Sequence, residues 1–164
     1  MIETERLLLR RVTSADLDEL IAIHAQPAVM RFMGSFDRDE ALQWMSRNER
    51  EWEELGYGRL AIVERATGRF LGRSGLKYWP QFGETEVGWL LRPDAWGRGF
   101  ASEAGRACVE WGFEHLQLGH ITAMIRPDNH RSIRVAERLG MEPLRGDVLL
   151  GEPVVVYAAS GSVA

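Results

Sequence analysis

The stretch from Glu86 to Gly99, EVGWLLRPDAWGRG, constrains the chain more than any other. Val87, Trp89 and Leu91 alternate with Glu86, Gly88 and Leu90, the two-residue period of a strand, and the nearly unbroken apolar run implies burial on both faces. Pro93 biases Arg92 away from helical geometry, so the strand ends there. From Gly97 the chain reads GRGFASEAGRACVEWGFEHL, with Ala101, Ala104, Cys108 and Trp111 three or four apart on one helical face. A strand that delivers a glycine-rich turn to a helix N-terminus is an anion site. Backbone N–H groups without intrahelical partners converge there, the dipole is positive, and glycine admits a phosphate close to the backbone.

Taken alone, Gly97-x-Gly99-x-x-Ser102 fits either the start of a dinucleotide fingerprint or a glycine-softened helix start. The dinucleotide reading needs an acid about 20 residues on, closing the second strand, to hold a ribose. The second strand is read at Ile121 to Ile125 and ends in Arg126-Pro127, so that reading fails. Beyond that strand the chain reads RPDNHRSIRVAERLGMEPL, with Asn129, Ser132, Leu139, Gly140 and Met141. Together with Thr4-Glu5-Arg6-Leu7-Leu8-Leu9-Arg10, Glu86 to Leu91 and Trp96 to Ala104, this set of ordered motifs resembles the GNAT superfamily of acyl-CoA-dependent N-acyltransferases. Within it the chain is most similar to the RimJ/RimL-like branch. The resemblance runs almost end to end.

Bulk properties agree. At 164 residues the chain has room for one domain, residues 1–164, with a sizeable core. Charged residues at 27% and hydrophobic residues at 45% are ordinary for a soluble globule. A net charge of −4 argues against general electrostatic binding of nucleic acid and is compatible with attracting cationic amines. No apolar run reaches the length of a membrane span, and the N-terminus lacks a signal-peptide pattern. The single Cys108 excludes an internal disulfide and fits a reducing, cytoplasmic setting. Its place on the apolar helix face reads as structural rather than nucleophilic.

Arg6 to Thr13 reads as a first strand. Ser14 caps a helix carrying Leu17, Leu20, Ile21 and His24, which stops near Pro27. Val29 to Phe36 reads as a loop, and Asp37 with Glu40 as a variant capping box for a helix that Gly56 ends. Arg59 to Glu64, Phe70 to Trp79 and the central strand form an antiparallel meander. Gly72 and Gly75 in the middle strand hint at a bulge or a close backbone approach. After the long helix come the strand Ile121 to Ile125, a helix over Asn129 to Leu139, and a closing pair at Met141 to Leu150 and Val154 to Ala158. Ser160 to Ala164 read as frayed. The resemblance implies a single-domain GNAT α/β fold: a mixed, mostly antiparallel sheet of about seven strands flanked by about four helices.

The resemblance also implies acetyl transfer from acetyl-CoA to a primary amine by direct attack on the thioester. The acceptor is a protein N-terminal α-amine or a small-molecule amine. A catalytically degenerate acyl-CoA sensor of the same fold is the alternative. The phosphates fall to Trp96, Gly97, Arg98, Gly99, Phe100, Ala101 and Ser102, with Arg92, Arg131, Arg134 and Arg138 as further cations. The pantetheine arm falls to the backbone of Trp89, Leu90 and Leu91, where a bulge would present an N–H to the thioester oxygen, and to Asn129. Asn129 reads equally well as a helix N-cap. Many members carry a tyrosine as the thiolate's acid, but that slot is Ala136, and Ser132 takes the role in this branch. Glu86 is the first choice of base, Asp147 the second and Glu152 a poorer third. Phe32, Phe36, Trp79 and Phe82 are expected to line the acceptor pocket. The four histidines form no metal-ligand cluster, and no metal is expected. The amine is the partner implied, a homodimer is left open, and neither nucleic acid nor membrane is expected.

Overall fold

In the computed structural model, which describes residues 1–161, eight strands form one sheet in the order β1-β2-β3-β4-β5-β6-β8-β7. They are β1 (Ile2–Glu3), β2 (Leu7–Arg11), β3 (Arg59–Glu64), β4 (Phe70–Trp79), β5 (Glu84–Leu91), β6 (His120–Ile125), β7 (Glu142–Leu149) and β8 (Glu152–Ser160). Every neighbouring pair is antiparallel except β5 and β6. Five α-helices accompany them: α1 (Leu17–His24), α2 (Pro27–Met33), α3 (Arg38–Leu55), α4 (Phe100–Leu116) and α5 (His130–Arg138). The strand count exceeds the expected seven because Ile2–Glu3 pairs with Leu8 and Leu9. The helix count exceeds four because Val29 to Phe36 is mostly helix. α1 stops at His24, close to Pro27 as expected, and Pro27 itself begins α2 at its first position, where its fixed φ and missing N–H cost nothing. Ser160 ends β8, and residues 162–164 of the expected fraying lie outside the described residues.

The central strand is covered on both sides, as its apolar run implies. Register places Leu60, Leu76, Val87 and Leu91 on one face, packed with Phe100, Ala104 and Cys108 of α4. Ala61 and Leu90 lie on the other, packed with Val12, Leu20, Ile23 and Val29 from the segments around α1 and α2. Burial pushes the Cys108 thiol up to about 11, which fits a structural cysteine. Gly72 makes the close approach its position suggested: a Cβ there would stand 1.9 Å from the carbonyl oxygen of Leu90. The register shift in this region falls in β3, between Ile62 and Val63. The expected bulge in β5 is absent, and its ladder with β4 runs unbroken from Glu84 to Leu91.

His24 is buried on the second face, stacked on Phe36 with ring centroids 4.1 Å apart, and neither ring nitrogen has a partner among the described residues. Burial, and then the nearby Arg73 charge, hold its pKa down at about 4. Between that value and the ordinary one near 6.5, the unfolded chain binds a proton that the fold refuses. The contribution of neutral His24 is therefore complete above about pH 6.5 and is lost as pH falls toward 4. The full shift is worth at most about 3 kcal/mol, less where solvent screens Arg73. His24→Leu is expected to be at least as stable as wild type at pH 7 and to show a flatter decline toward pH 4 in thermal melts. Parallel pH profiles would remove His24 from the acid response.

Candidate active site

The sheet opens where the parallel pair β5 and β6 separates. β5 and β6 share one register pair, Glu86 with Thr122, and diverge beyond it. Arg92 N–H donates to Leu71 of β4, so the two-residue alternation turns the backbone groups of Leu90 and Gly88 toward β4 as well. The backbone groups of Val87, Trp89 and Leu91 are left facing the split. Of the three backbone positions expected along this strand, Leu90 is thus committed to β4 and its side chain to the core.

Glu86 stands at the mouth of the split, 7% exposed. Its Oε1 accepts from Trp79 Nε1 at 3.0 Å, with Arg59 Nη2 at 3.5 Å, and its Oε2 accepts from Met124 N at 3.2 Å, across the gap. The carboxylate therefore takes up an N–H that has lost its ladder partner and keeps one lone-pair direction free. On the far wall, Asn129 caps α5 by accepting from Ser132 N at 3.3 Å, and Ser132 Oγ accepts from Trp89 Nε1, also at 3.3 Å. With its acceptor role filled by the indole, the hydroxyl proton remains free to donate. Glu86, Trp89, Asn129 and Ser132 line one cleft of about 860 Å³, which runs on beneath Phe32 of α2 and Trp44 of α3.

Of the residues expected to line the acceptor pocket or serve as base, three do not reach this cleft. Phe36 is packed between His24 and Trp44. Phe82 lies in the turn between β4 and β5, with the Arg145 guanidinium 5.8 Å over its ring. Asp147 accepts from Arg145 Nε at 2.9 Å and from Val148 N at 2.8 Å, and these bonds hold its pKa below the ordinary carboxylate range. Glu152 does line the cleft but pairs with Arg126 at 3.7 Å.

Beside the split, Gly97 and Gly99 adopt left-handed φ of 76° and 81°, and α4 begins without a side-chain cap. Ser102 Oγ in the first turn is buried without a partner among the described residues. An uncapped positive helix end with an orphaned hydroxyl beside it suits a phosphate. Arg131 is the cation set against this loop, its guanidinium 3.7 Å over the Trp96 ring, whose Nε1 donates to Leu91 O. Arg98 turns to Glu64 at 3.1 Å, Arg92 is held by Asp94 and Glu19, and Arg138 is exposed at the last turn of α5. The loop is braced from the other end of the chain. Glu103 accepts from Thr4 Oγ1 (2.6 Å), Arg6 N (2.9 Å) and Arg6 Nε (2.7 Å), while Arg6 Nη1 donates to Arg98 O at 2.8 Å. Two of the sequence motifs are therefore one physical device.

The family model for the acetyltransferase (GNAT) domain matches residues 6–142. The chain belongs to the GNAT acetyltransferases. It is 37% identical over 162 residues to YkkB, an uncharacterised protein of Bacillus subtilis strain 168, covering 94% of this chain and 92% of that one. An uncharacterised N-acetyltransferase of Bacillus licheniformis, p20, is 31% identical over 143 residues, 85% and 80% of the two chains. The crystal structure of an acetyltransferase from Agrobacterium tumefaciens superposes with a TM-score of 0.84 at 34% identity, over 96% and 92% of the chains. This GNAT domain is thus an acyltransferase that uses acetyl-CoA and an amine acceptor.

Sequence reasoning missed two residues of the GNAT cleft, Arg59 and Arg73. Both are 8% exposed, on the same face of the sheet as Glu86. The spacing within their strands carries no signal for them, because their burial depends on the helical layer that covers that face, where Trp44 and Asn48 of α3 meet Arg73 and Arg59.

Proposed function

We propose that the chain acetylates a primary amine by direct attack on the thioester of acetyl-CoA, as a member of the RimJ/RimL-like branch. The observation that carries this reading is the continuity of one cleft from Asn129 and Ser132 in the split to Glu86 beneath α2 and α3. The phosphates lie on the backbone of Gly97 to Ser102 with Arg131 beside them. The pantetheine arm takes the backbone groups of Trp89 and the N–H of Leu91 that β6 leaves free, Leu91 O being held by Trp96 Nε1, and an N–H of this edge holds the thioester oxygen. Glu86 takes the amine's proton through its free lone pair, directly or by way of a water. An α-amine with a pKa of about 8 is partly neutral at physiological pH, so modest help suffices. Ser132 donates its proton toward the departing sulfur. A cleft of about 860 Å³ that must also admit the pantetheine arm leaves space for a small amine rather than a folded polypeptide surface. The single buried Cys108 suits a reducing compartment, the cytoplasm.

Calorimetric acetyl-CoA binding, run beside a thiol-release assay over a panel of amines, tests this reading. Tight binding with release from small primary amines is expected, and binding without release from any amine overturns it. For Ser132 the expected effect is modest. Loss of one neutral hydrogen bond, about 0.5–1.5 kcal/mol, predicts that Ser132→Ala slows acetyl-CoA turnover roughly threefold to tenfold. The defect should shrink with an acyl donor whose leaving thiol is more acidic. Equal defects across donors would reassign the Ser132 hydroxyl to its bond with Trp89.

A further inference from the structure

The amine side of the cleft is cationic, although the chain as a whole carries a net charge of −4. Six arginines and lysines line the cleft against three glutamates. Lys77 pairs with Glu51, Arg126 with Glu152, Arg31 with Asp128 and Arg59 with Glu86. Arg47 and Arg73 have no carboxylate within 4 Å among the described residues. Arg47 is exposed at the rim, where water solvates it, but Arg73 is 8% exposed.

Arg73 is held in place without being satisfied. It stands in β4 between Ala61 of β3 and Leu90 of β5, its guanidinium 5.2 Å from the Trp44 ring. Its Nε is buried without a partner, and no hydrogen bond engages any part of the guanidinium among the described residues. Arg59 lies next along the same face over Gly88, where a Cβ would stand 3.4 Å from the guanidinium, and Glu86 is the next residue along. Burial, and then repulsion from Arg59, pull the Arg73 pKa well below its ordinary range. Two buried cations against one buried carboxylate leave one positive charge uncompensated, and an unpaired buried charge is costly unless a partner arrives. A planar fork of unused donors, lining a substrate cleft, matches an oxyanion.

We propose that the acceptor is a small amine carrying an oxyanion, a carboxylate or phosphate, which Arg73 binds with Arg59 behind it while Glu86 faces the amine. This deepens the amine-acetylation reading and rests on it. The ordering along the sheet face, Arg73 and Arg59 and then Glu86, sorts a zwitterionic amine by its two ends. It also disfavours a polyamine, whose every charge would meet Arg73 or Arg59.

The test compares molecules that differ only in the anion. Binding of N-acetyl amino acids, their C-terminal amides and N-acetyl aminophosphonates to the complex with CoA is measured by calorimetry, alongside thiol release from the parent amines and from spermidine. The carboxylate is expected to bind about tenfold to a hundredfold tighter than its amide, the scale of one charge-assisted hydrogen-bond pair. The phosphonate arm decides which oxyanion is preferred. Arg73→Met, which keeps the volume and removes the charge, should equalise acid and amide, and Arg73→Lys should restore part of the difference. If Arg73→Met does not fold, the acid–amide comparison in the wild-type protein still decides. Equal binding of acid and amide, or a preference for spermidine, overturns the proposal while leaving acetyl transfer intact. A preference for acid that survives in folded Arg73→Met overturns the assignment to Arg73. Absence of thiol release from every amine overturns the acetylation reading, and the binding comparison still decides the oxyanion site.

Discussion

Glu86→Gln is expected to lower kcat about 10²-fold or more, the range of general-base catalysis, with little change in acetyl-CoA affinity. The amide preserves shape but has one acceptor oxygen where the carboxylate has two. Trp79 Nε1 and Arg59 approach Oε1 and Met124 N approaches Oε2, so the amide NH2 must face one of these donors. A small loss of thermal stability should accompany the kinetic defect. Two readings separate in the pH profile of kcat/KM. Loss of a base removes the limb it governs, whereas a distorted split lowers the whole curve and weakens acetyl-CoA as well. A near-wild-type rate in Glu86→Gln would send the role to Glu152, which also reaches the cleft, whereas Asp147 does not.

Gly99→Val should abolish measurable acetyl-CoA binding in a protein that remains folded. Gly99 holds φ at 81°, a region closed to β-branched residues, and its Cβ would come within 3.4 Å of Arg6 Nη2. The strain, of order 1–3 kcal/mol, falls on the residue that begins α4. That Cβ reaches only the flexible end of Arg6, so the expected loss comes from the backbone strain and from the added side chain standing at the loop surface. Calorimetry beside a thermal melt checks this. A folded variant with wild-type affinity would remove Gly97 to Ser102 from the cofactor site.

What the sequence made legible was local. The strand from Glu86 to Leu91, the proline that ends it and the glycines that open α4 each act on neighbours a few residues away, and the structure keeps them where the pattern puts them. Asp37 and Glu40 form the capping box in full, for the same reason. The misreadings arose where a local signal has two meanings. Pro27 follows the end of α1, as expected, but the same residue also initiates α2, which the reading of Val29 to Phe36 as a loop left out. Phe36 is apolar in either a pocket or a core, and only the position of His24 and Trp44 decides for the core. Asp147 looked free until Arg145, itself gripped by Glu84 across 61 residues, came alongside. Arg59 and Arg73 were hidden in strands whose alternation was read for its apolar members. Their meaning depends on α3 covering that face, which no spacing within β3 or β4 reveals.

The brace between Thr4, Arg6 and Glu103 spans 97 to 99 residues of chain. The loop from Gly97 to Ser102, to which we assign the cofactor phosphates, therefore gains this brace only once the first strands have docked and that long loop has closed. Partly folded chains carry the loop's residues without its geometry, and acetyl-CoA has little to hold in them. A ligand that binds only the finished state draws the population toward that state by mass action. The supply of acetyl-CoA thus bears on how much of the enzyme persists folded as well as on how fast it turns over.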